Sequence, residues 1–307
     1  MAGGDYNLIY MPTETWIEGR VIVPARMAEE ASLFLTDFSG RGVIIEEENV
    51  PAGGALIRAY FRLEEYGETQ RQELQDYIKR LSSYELSPLG LEIRQVAAED
   101  WAEAWKAHFK PLKVTDRLVI RPPWEEYAAQ PGETVITIYP GMAFGTGRHA
   151  STLLCLRALE QVWKEQPPRS SSPWQVLDVG TGTGILALAA ARYGAEVLAI
   201  DLDPEAVAAA LENVRLNHLI DRVWVEETPL NSLRQQFGLI MANITAPDLL
   251  QLADALSARL LNDGVLIISG FLAEDASRLS ARYQELGLHQ TGFLTQEDWG
   301  ALIFRRP

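Results

Sequence analysis

One cysteine, four histidines and a shortage of positive charge set the first limits on this 307-residue chain. A single thiol, Cys155, excludes an internal disulfide framework and a cysteine-based zinc site. It stands among apolar residues, so a small buried hydrophobe is the expectation. No apolar run approaches membrane-spanning length; the densest, "ILALAAARYGA", is interrupted by Arg192. The start, "MAGGDYNLIYMPTETW", has neither a basic stretch nor an apolar core of the secretory kind. Lys and Arg number 27 against 42 Asp and Glu, for a net charge of −15. That balance argues against a nucleic-acid backbone as the main partner. It suits either attraction of a basic partner or plain solubility. These absences make a cytoplasmic protein the expectation, with no membrane and no direct nucleic-acid contact.

The apolar fraction of 47% and charged fraction of 22% are those of an ordinary globular protein, and the length accommodates two domains. Residues 1–97 alternate short strand-like and helix-like segments. "TWIEGRVIVP", "GVIIEEE", "ALIRAYFRL" and "LEIRQV" read as strands. "ARMAEEASLFLTDF" and "ETQRQELQDYIKRLSSY" have helical spacing. The order β-α-β-β-α-β is that of a ferredoxin-like α+β sandwich. This stretch has no histidine and no glycine-rich ligand loop. Residues 98–130 read as a linker with an amphipathic helix, whose Trp101, Trp105 and Phe109 share a face. A stripe packed against a neighbouring domain is favoured over an aromatic ligand platform.

Residues 131–307 change rhythm. From Ser170 onward, apolar strands such as "WQVLDV", "EVLAID" and "GVLIISG" alternate with helices, which predicts an α/β doubly wound, mostly parallel sheet. The terminal pair of strands has no helix between them, so one is expected to be antiparallel. In such a sheet the ligand lies at the carboxyl ends of the strands. The first strand ends "LDVGTGTG", with Asp178 two residues before Gly180, then Gly182 and Gly184. Ile185 stands where the dinucleotide fingerprint places its last small residue, which counts against a nicotinamide enzyme. The spacing resembles motif I of S-adenosylmethionine (SAM) methyltransferases. There the glycines let the backbone approach the cofactor, and Asp178 can hold its ammonium directly or through water. Asp201, at the end of the second strand, can accept both ribose hydroxyls. Asp203 and Pro204 form the better N-cap and first helical position of the helix that follows.

A second glycine-rich stretch, "GMAFGTGRHAST" (141–152), runs into an apolar helical segment. It lacks the Lys-Ser/Thr ending of a Walker phosphate loop. Joined to "VLDVGTGTGILALAA", "AIDLDPEAV", "MANI" and the terminal "DWGALIF", it resembles the bacterial ribosomal-protein L-eleven methyltransferases, the PrmA family. The likeness covers about residues 95–307. It implies a class I enzyme, metal-free, that uses SAM to methylate lysine ε-amines and the N-terminal α-amine of a large-subunit ribosomal protein. It also implies that SAM contacts fall on Thr152, Gly180, Asp201 and Asn243, and that the N-terminal domain recognises the protein substrate. Two positions depart from the family pattern. Ala150-Ser151 precedes Thr152, and Asn243 is followed by Ile244-Thr245, on the acceptor side of the pocket.

Chemistry at the acceptor rests on two candidates. Asn243, at the end of the fourth strand, can orient an amine by its side-chain carbonyl, or be a turn residue only. His149 can act as base or orienting group, or be a loop histidine satisfied by the backbone. The rival readings are a same-fold methyltransferase acting on another protein or a small amine, a nicotinamide oxidoreductase, and a SAM-binding module without turnover.

Overall fold

The computed structural model describes residues 15–24, 27–39, 43–46, 50, 54–62, 67–82, 90–97, 109–139, 149–165 and 174–307. Two compact units emerge, Met1–His108 and Phe109–Pro307.

The first unit contains β1 (Thr15–Pro24), α1 (Ala28–Ser39), β2 (Ile44–Glu46), β3 (Gly54–Arg62), α2 (Glu68–Ser82) and β4 (Gly90–Ala97). Its sheet runs β2-β3-β1-β4 with every neighbouring pair antiparallel. Period-two alternation puts Ile17, Val21 and Val23 of β1 on one face with Ala55, Ile57 and Ala59 of β3. That face buries Leu35 of α1 and Leu74 and Tyr77 of α2. Phe34 stacks on Tyr77 with ring centroids 3.6 Å apart. On the opposite face Glu18 is buried and accepts bonds from Arg58 Nη1 and Tyr60 Oη, each 2.9 Å.

The second unit opens with a small sheet of β5 (Leu112–Lys113), β6 (Leu118–Arg121) and β7 (Thr134–Thr137). Residues 109–130, expected to belong to a connecting segment, are therefore part of this unit. The reason is apolar burial: Val114, Leu118 and Ile120 enter its core beside Ile136 and Leu156. Residues 98–108, including Trp101 and Trp105, lie outside the described residues.

The elements that follow are α3 (Ala150–Glu165), β8 (Gln175–Val179), α4 (Ile185–Arg192), β9 (Glu196–Asp201), α5 (Pro204–Leu216), β10 (Val223–Glu227) and β11 (Phe237–Asn243). Next come α6 (Ala246–Gln251), α7 (Ala253–Ala258), β12 (Leu260–Leu272), α8 (Ala276–Glu285), β13 (His289–Gln296) and β14 (Trp299–Arg305). The seven-stranded sheet has the order β10-β9-β8-β11-β12-β14-β13. Its first five strands are parallel, and β14 is antiparallel to both its neighbours. Alternate residues of the central strands feed two cores. Val176, Met241 and Ile267 face α3 and α4, whereas Leu177, Ile240 and Leu266 face α6, α7 and α8. Both faces are covered, which is why these strands read as continuous apolar runs. Helices α6 and α7 are separated only at Leu252. Chain direction across the sheet reverses between β8 and β11, and the crevice outside the carboxyl ends of these strands is where a doubly wound sheet binds its ligand.

Candidate functional site

The turn after β8 is held from the neighbouring strand. Gly180 N–H and Thr181 N–H both donate to the Ile200 carbonyl, at 2.9 and 3.0 Å. Gly182 N–H donates to Asp201 Oδ2 at 2.9 Å. To make these bonds the backbone turns left-handed at Gly180, Gly182 and Gly184, with φ of 69°, 54° and 82°. Side-chain-bearing residues are strained there. A Cβ at position 180 would also stand 2.5 Å from Ile244 Cγ2.

Asp178 is buried beneath this turn, with 1% of its surface exposed. Its Oδ2 accepts Thr181 Oγ1 at 2.7 Å and Ala187 N–H at 3.1 Å, so the acid organises both the turn and the start of α4. Its Oδ1 has no hydrogen-bond partner among the described residues. Burial pushes the carboxyl up to about 7, helped by the nearby Asp201 charge and opposed by the Thr181 and Ala187 bonds.

Asp201 closes β9. Oδ1 accepts Leu202 N–H at 2.8 Å and Asp203 N–H at 3.1 Å, and Oδ2 accepts Gly182 N–H. A carboxylate offers about four lone-pair sites, so three are engaged and one remains for a ligand. A grip on both ribose hydroxyls, as the sequence suggested, requires one internal bond to be exchanged. Asp203 and Pro204 cap α5 as expected, with Glu205 N–H 2.9 Å from Asp203 Oδ1.

Across the switch point, Asn243 ends β11 and its Nδ2 donates to Thr152 Oγ1 at 3.2 Å. Thr152 is fully buried in the first turn of α3. Asn243 Oδ1 is buried and has no partner among the described residues. The two residues lie 91 positions apart in sequence, and the fold brings them together.

His149 precedes α3. The Ser151 N–H donates to its Nδ1 at 3.3 Å, and Ser151 Oγ lies 2.7 Å from the same nitrogen. With Nδ1 accepting, the neutral ring carries its hydrogen on Nε2. Burial lowers its pKa, which favours that neutral form; Glu297 opposes the shift. Trp299 meets the imidazole edge to face at 4.5 Å. Neither Ser151 nor Trp299 was assigned a role from sequence, since both fall within motif stretches without a distinguishing neighbour. The Thr245 departure has a local explanation. Its hydroxyl accepts Asp248 N–H at 3.4 Å and donates to Asp248 Oδ2 at 2.6 Å, so it is the N-cap of α6. Cys155 is fully buried, and burial pushes its thiol up, as its apolar surroundings implied. Residues 141–148 of the second glycine-rich stretch lie outside the described residues.

All eight site residues named from sequence are described. Asp178, Gly180, Gly182, Gly184 and Asp201 form one cluster at β8–β9, while Asn243 and Thr152 form a pair and His149 bonds to Ser151. The donor set fits a SAM molecule. Asp178 Oδ1, buried and without a partner among the described residues, and the Asp201 carboxylate with spare capacity match a ligand with ammonium and hydroxyl donors. Among the described residues no three His, Cys, Asp or Glu side chains converge as metal ligands. No described helix is long and apolar enough to cross a membrane.

Comparison with known proteins agrees with this geometry. Residues 15–307 match the family model for ribosomal protein L11 methyltransferase (PrmA). A ribosomal protein L11 methyltransferase from Pelobacter propionicus is 41% identical over 308 residues, covering 96% of this chain and 98% of that protein. Its counterpart from Citrifermentans bemidjiense is 38% identical over 311 residues, covering 96% and 99%. The crystal structure of a ribosomal protein L11 methylase from Lactobacillus delbrueckii subsp. bulgaricus superposes with a TM-score of 0.58 at 32% identity. That match covers 65% of this chain and all of the other. The glycine turn, the paired acids and the near full-length similarity lead to one assignment: the chain belongs to the ribosomal protein L11 methyltransferase family.

Proposed function

We propose that this protein methylates amines of ribosomal protein L11, both lysine ε-amines and the N-terminal α-amine, using SAM, in the cytoplasm and without a metal. The observation that carries the reading is Asn243: a buried amide oxygen without a partner among the described residues, opposite a glycine turn backed by two acids. SAM supplies an electrophilic methyl on a cationic sulfur, and the transfer is an in-line displacement in which positioning does most of the work. Gly180 gives the backbone close approach, and Asp201 offers its remaining lone pair to a ribose hydroxyl. Asp178 Oδ1 accepts from the ammonium. Thr152 keeps its hydroxyl hydrogen for the carboxylate, near the positive end of α3.

Asn243 Oδ1 accepts an N–H of the incoming amine and so fixes the direction of its lone pair. That lone pair must first be free, and an ordinary lysine titrates at about 10.4. Burial disfavours the ammonium form, so the amine loses its proton on entry and no dedicated base is required. His149 Nδ1 is already engaged by Ser151, which favours an orienting role over that of a base. Residues 1–97, in the element order of a ferredoxin-like sandwich, serve recognition of the ribosomal protein.

The test is mass spectrometry of L11 incubated with the enzyme and isotopically labelled SAM, with and without a strong chelator. Label on lysine and N-terminal amines, unchanged by chelator, is the expected result. Label confined to other proteins or small amines would move the activity to another acceptor. Tight SAM binding with no label anywhere would make the protein a binding module.

A further inference from the structure

We propose that Asn213 is a positioning residue for the donor-binding turn: its buried carboxamide fixes the peptide at Thr183 and so sets the shape of the glycine loop. The inference rests on the reading of that turn as the SAM site.

Asn213 lies on α5 with 1% of its surface exposed. Its Nδ2 donates to the Thr183 carbonyl at 2.9 Å, and its Oδ1 accepts Tyr139 N–H at 2.7 Å. One partner is an acceptor and the other a donor, so the amide has a single satisfied orientation. Thr183 is fully buried between Gly182 and Gly184. One turn earlier on the same helix face, Ala210 backs the loop: a Cβ at Gly184 would stand 3.3 Å from Ala210 Cβ. One turn later, Asn217 takes no part in the loop. It pairs with Thr137 instead, accepting its N–H at 2.9 Å and donating to its carbonyl at 2.6 Å, and also donates to the main-chain carbonyl of Asn213 at 2.8 Å, a bond that leaves the Asn213 carboxamide untouched.

The turn is thus gripped from two sides by one β-α unit. Asp201 at the end of β9 holds Gly182 N–H from the front, and Asn213 holds the Thr183 carbonyl from behind. Glycine supplies the left-handed conformations that the turn needs, but the same freedom lets it populate others. A loop that is only partly in its competent shape binds its ligand more weakly by that fraction. Asn213 removes the penalty by giving one orientation of the 183–184 peptide a buried partner. The sequence "LENVRLN" does not announce this, because a helical Asn ordinarily reads as a solvated side chain.

The experiment is SAM titration calorimetry with steady-state kinetics on the full-length protein, for wild type, Asn213→Ala and Asn217→Ala. Asn213→Ala should raise the SAM Kd about tenfold or more, while the KM for the protein acceptor at saturating SAM stays within about twofold. Asn217→Ala loses bonds of the same kind outside the loop, so it should lower Tm yet keep the wild-type SAM Kd. Equal SAM Kd values for Asn213→Ala and wild type would overturn the inference, as would an equal loss in both variants. Wild-type hydrogen exchange supplies a test independent of any variant's folding. Bound SAM should slow exchange of Tyr139 N–H more than that of Thr137 N–H, and equal slowing counts against the coupling. A wild-type protein that does not bind SAM at all would overturn the site reading itself, and this inference with it.

Discussion

Each unit buries a carboxylate against its sheet, and the two are treated in opposite ways. Glu18 lies within β1, 7% exposed, with Arg58 and Tyr60 of the neighbouring strand bonded to the same oxygen. Asp178 lies near the carboxyl end of β8, 1% exposed, with two neutral donors on one oxygen and none on the other among the described residues. A buried acid with its own cation is complete and serves the fold. A buried acid without one is held at a cost in stability, and that cost is repaid only when a ligand brings the missing donor. Asn243 shows the same signature across the switch point, with one half of its amide satisfied and the other without a partner among the described residues.

The sharpest break of this contrast is at Asp178. Its pKa rises from 3.8 to about 7, so the native protein keeps a proton that the unfolded chain gives up. The stability it contributes is complete below about pH 4 and is lost as pH rises toward 7. A span of about three units corresponds to at most about 4 kcal/mol. Asp178→Asn keeps an oxygen for Thr181 and Ala187 but cannot titrate. Thermal unfolding of wild type relative to this variant should therefore fall between pH 4 and 7, and added SAM should shrink the difference. Parallel curves would show that Asp178 is not a buried, ligand-ready acid.

Next in size is Asn243→Ala. If its open oxygen orients the amine, the loss belongs to the transition state, and kcat/KM for the protein acceptor should fall by about 100-fold or more. A loss confined to KM for SAM would place Asn243 on the donor side alone. Asp201→Ala comes third. Losing a bond to a charged group should weaken SAM binding by about 2 kcal/mol, read by calorimetry. An unchanged Kd would mean that Asp201 serves only to hold Gly182, Leu202 and Asp203.

Much of this contrast was legible in the sequence, and the limits have physical causes. Strand β1 was readable at its observed ends because period-two alternation is a one-dimensional signal. The Asp203 cap and the glycine turn are also local, spelled out within a few residues. The sheet's late antiparallel strand followed from a missing crossover helix. What failed was whatever depends on distant partners. Strand β5 is two residues long, too short to show a period, and burial of Val114, Leu118 and Ile120 in the core shared with α3 places residues 109–130 in the second unit. Asp178 could be named as a site residue, but that one of its oxygens lacks a partner among the described residues depends on the packing of β8, β9 and α4. The Nδ1 partner of His149 and the two grips of Asn213 are likewise three-dimensional facts.

The smallest expected effect lies in the other unit, where Glu18 already has its partners. Arg58→Ala removes the cation and leaves Glu18 with the Tyr60 hydroxyl on Oε1. The Arg58 side chain is 23% exposed and that of Glu18 9%, so water relieves part of the loss. A cost of about 1 kcal/mol is expected, nearer a surface pair than a sealed one. Chemical denaturation should register this as a lower midpoint with an unchanged slope. Because Glu18 is complete without a ligand, SAM should neither offset the loss nor bind less well. Calorimetry on the variant should return the wild-type Kd, and added SAM should raise the stability of both proteins equally. A weakened Kd, or a larger SAM-induced rise in the variant, would place this buried acid with Asp178 among the groups that wait for a ligand, and the distinction between satisfied and open carboxylates would no longer separate fold from site.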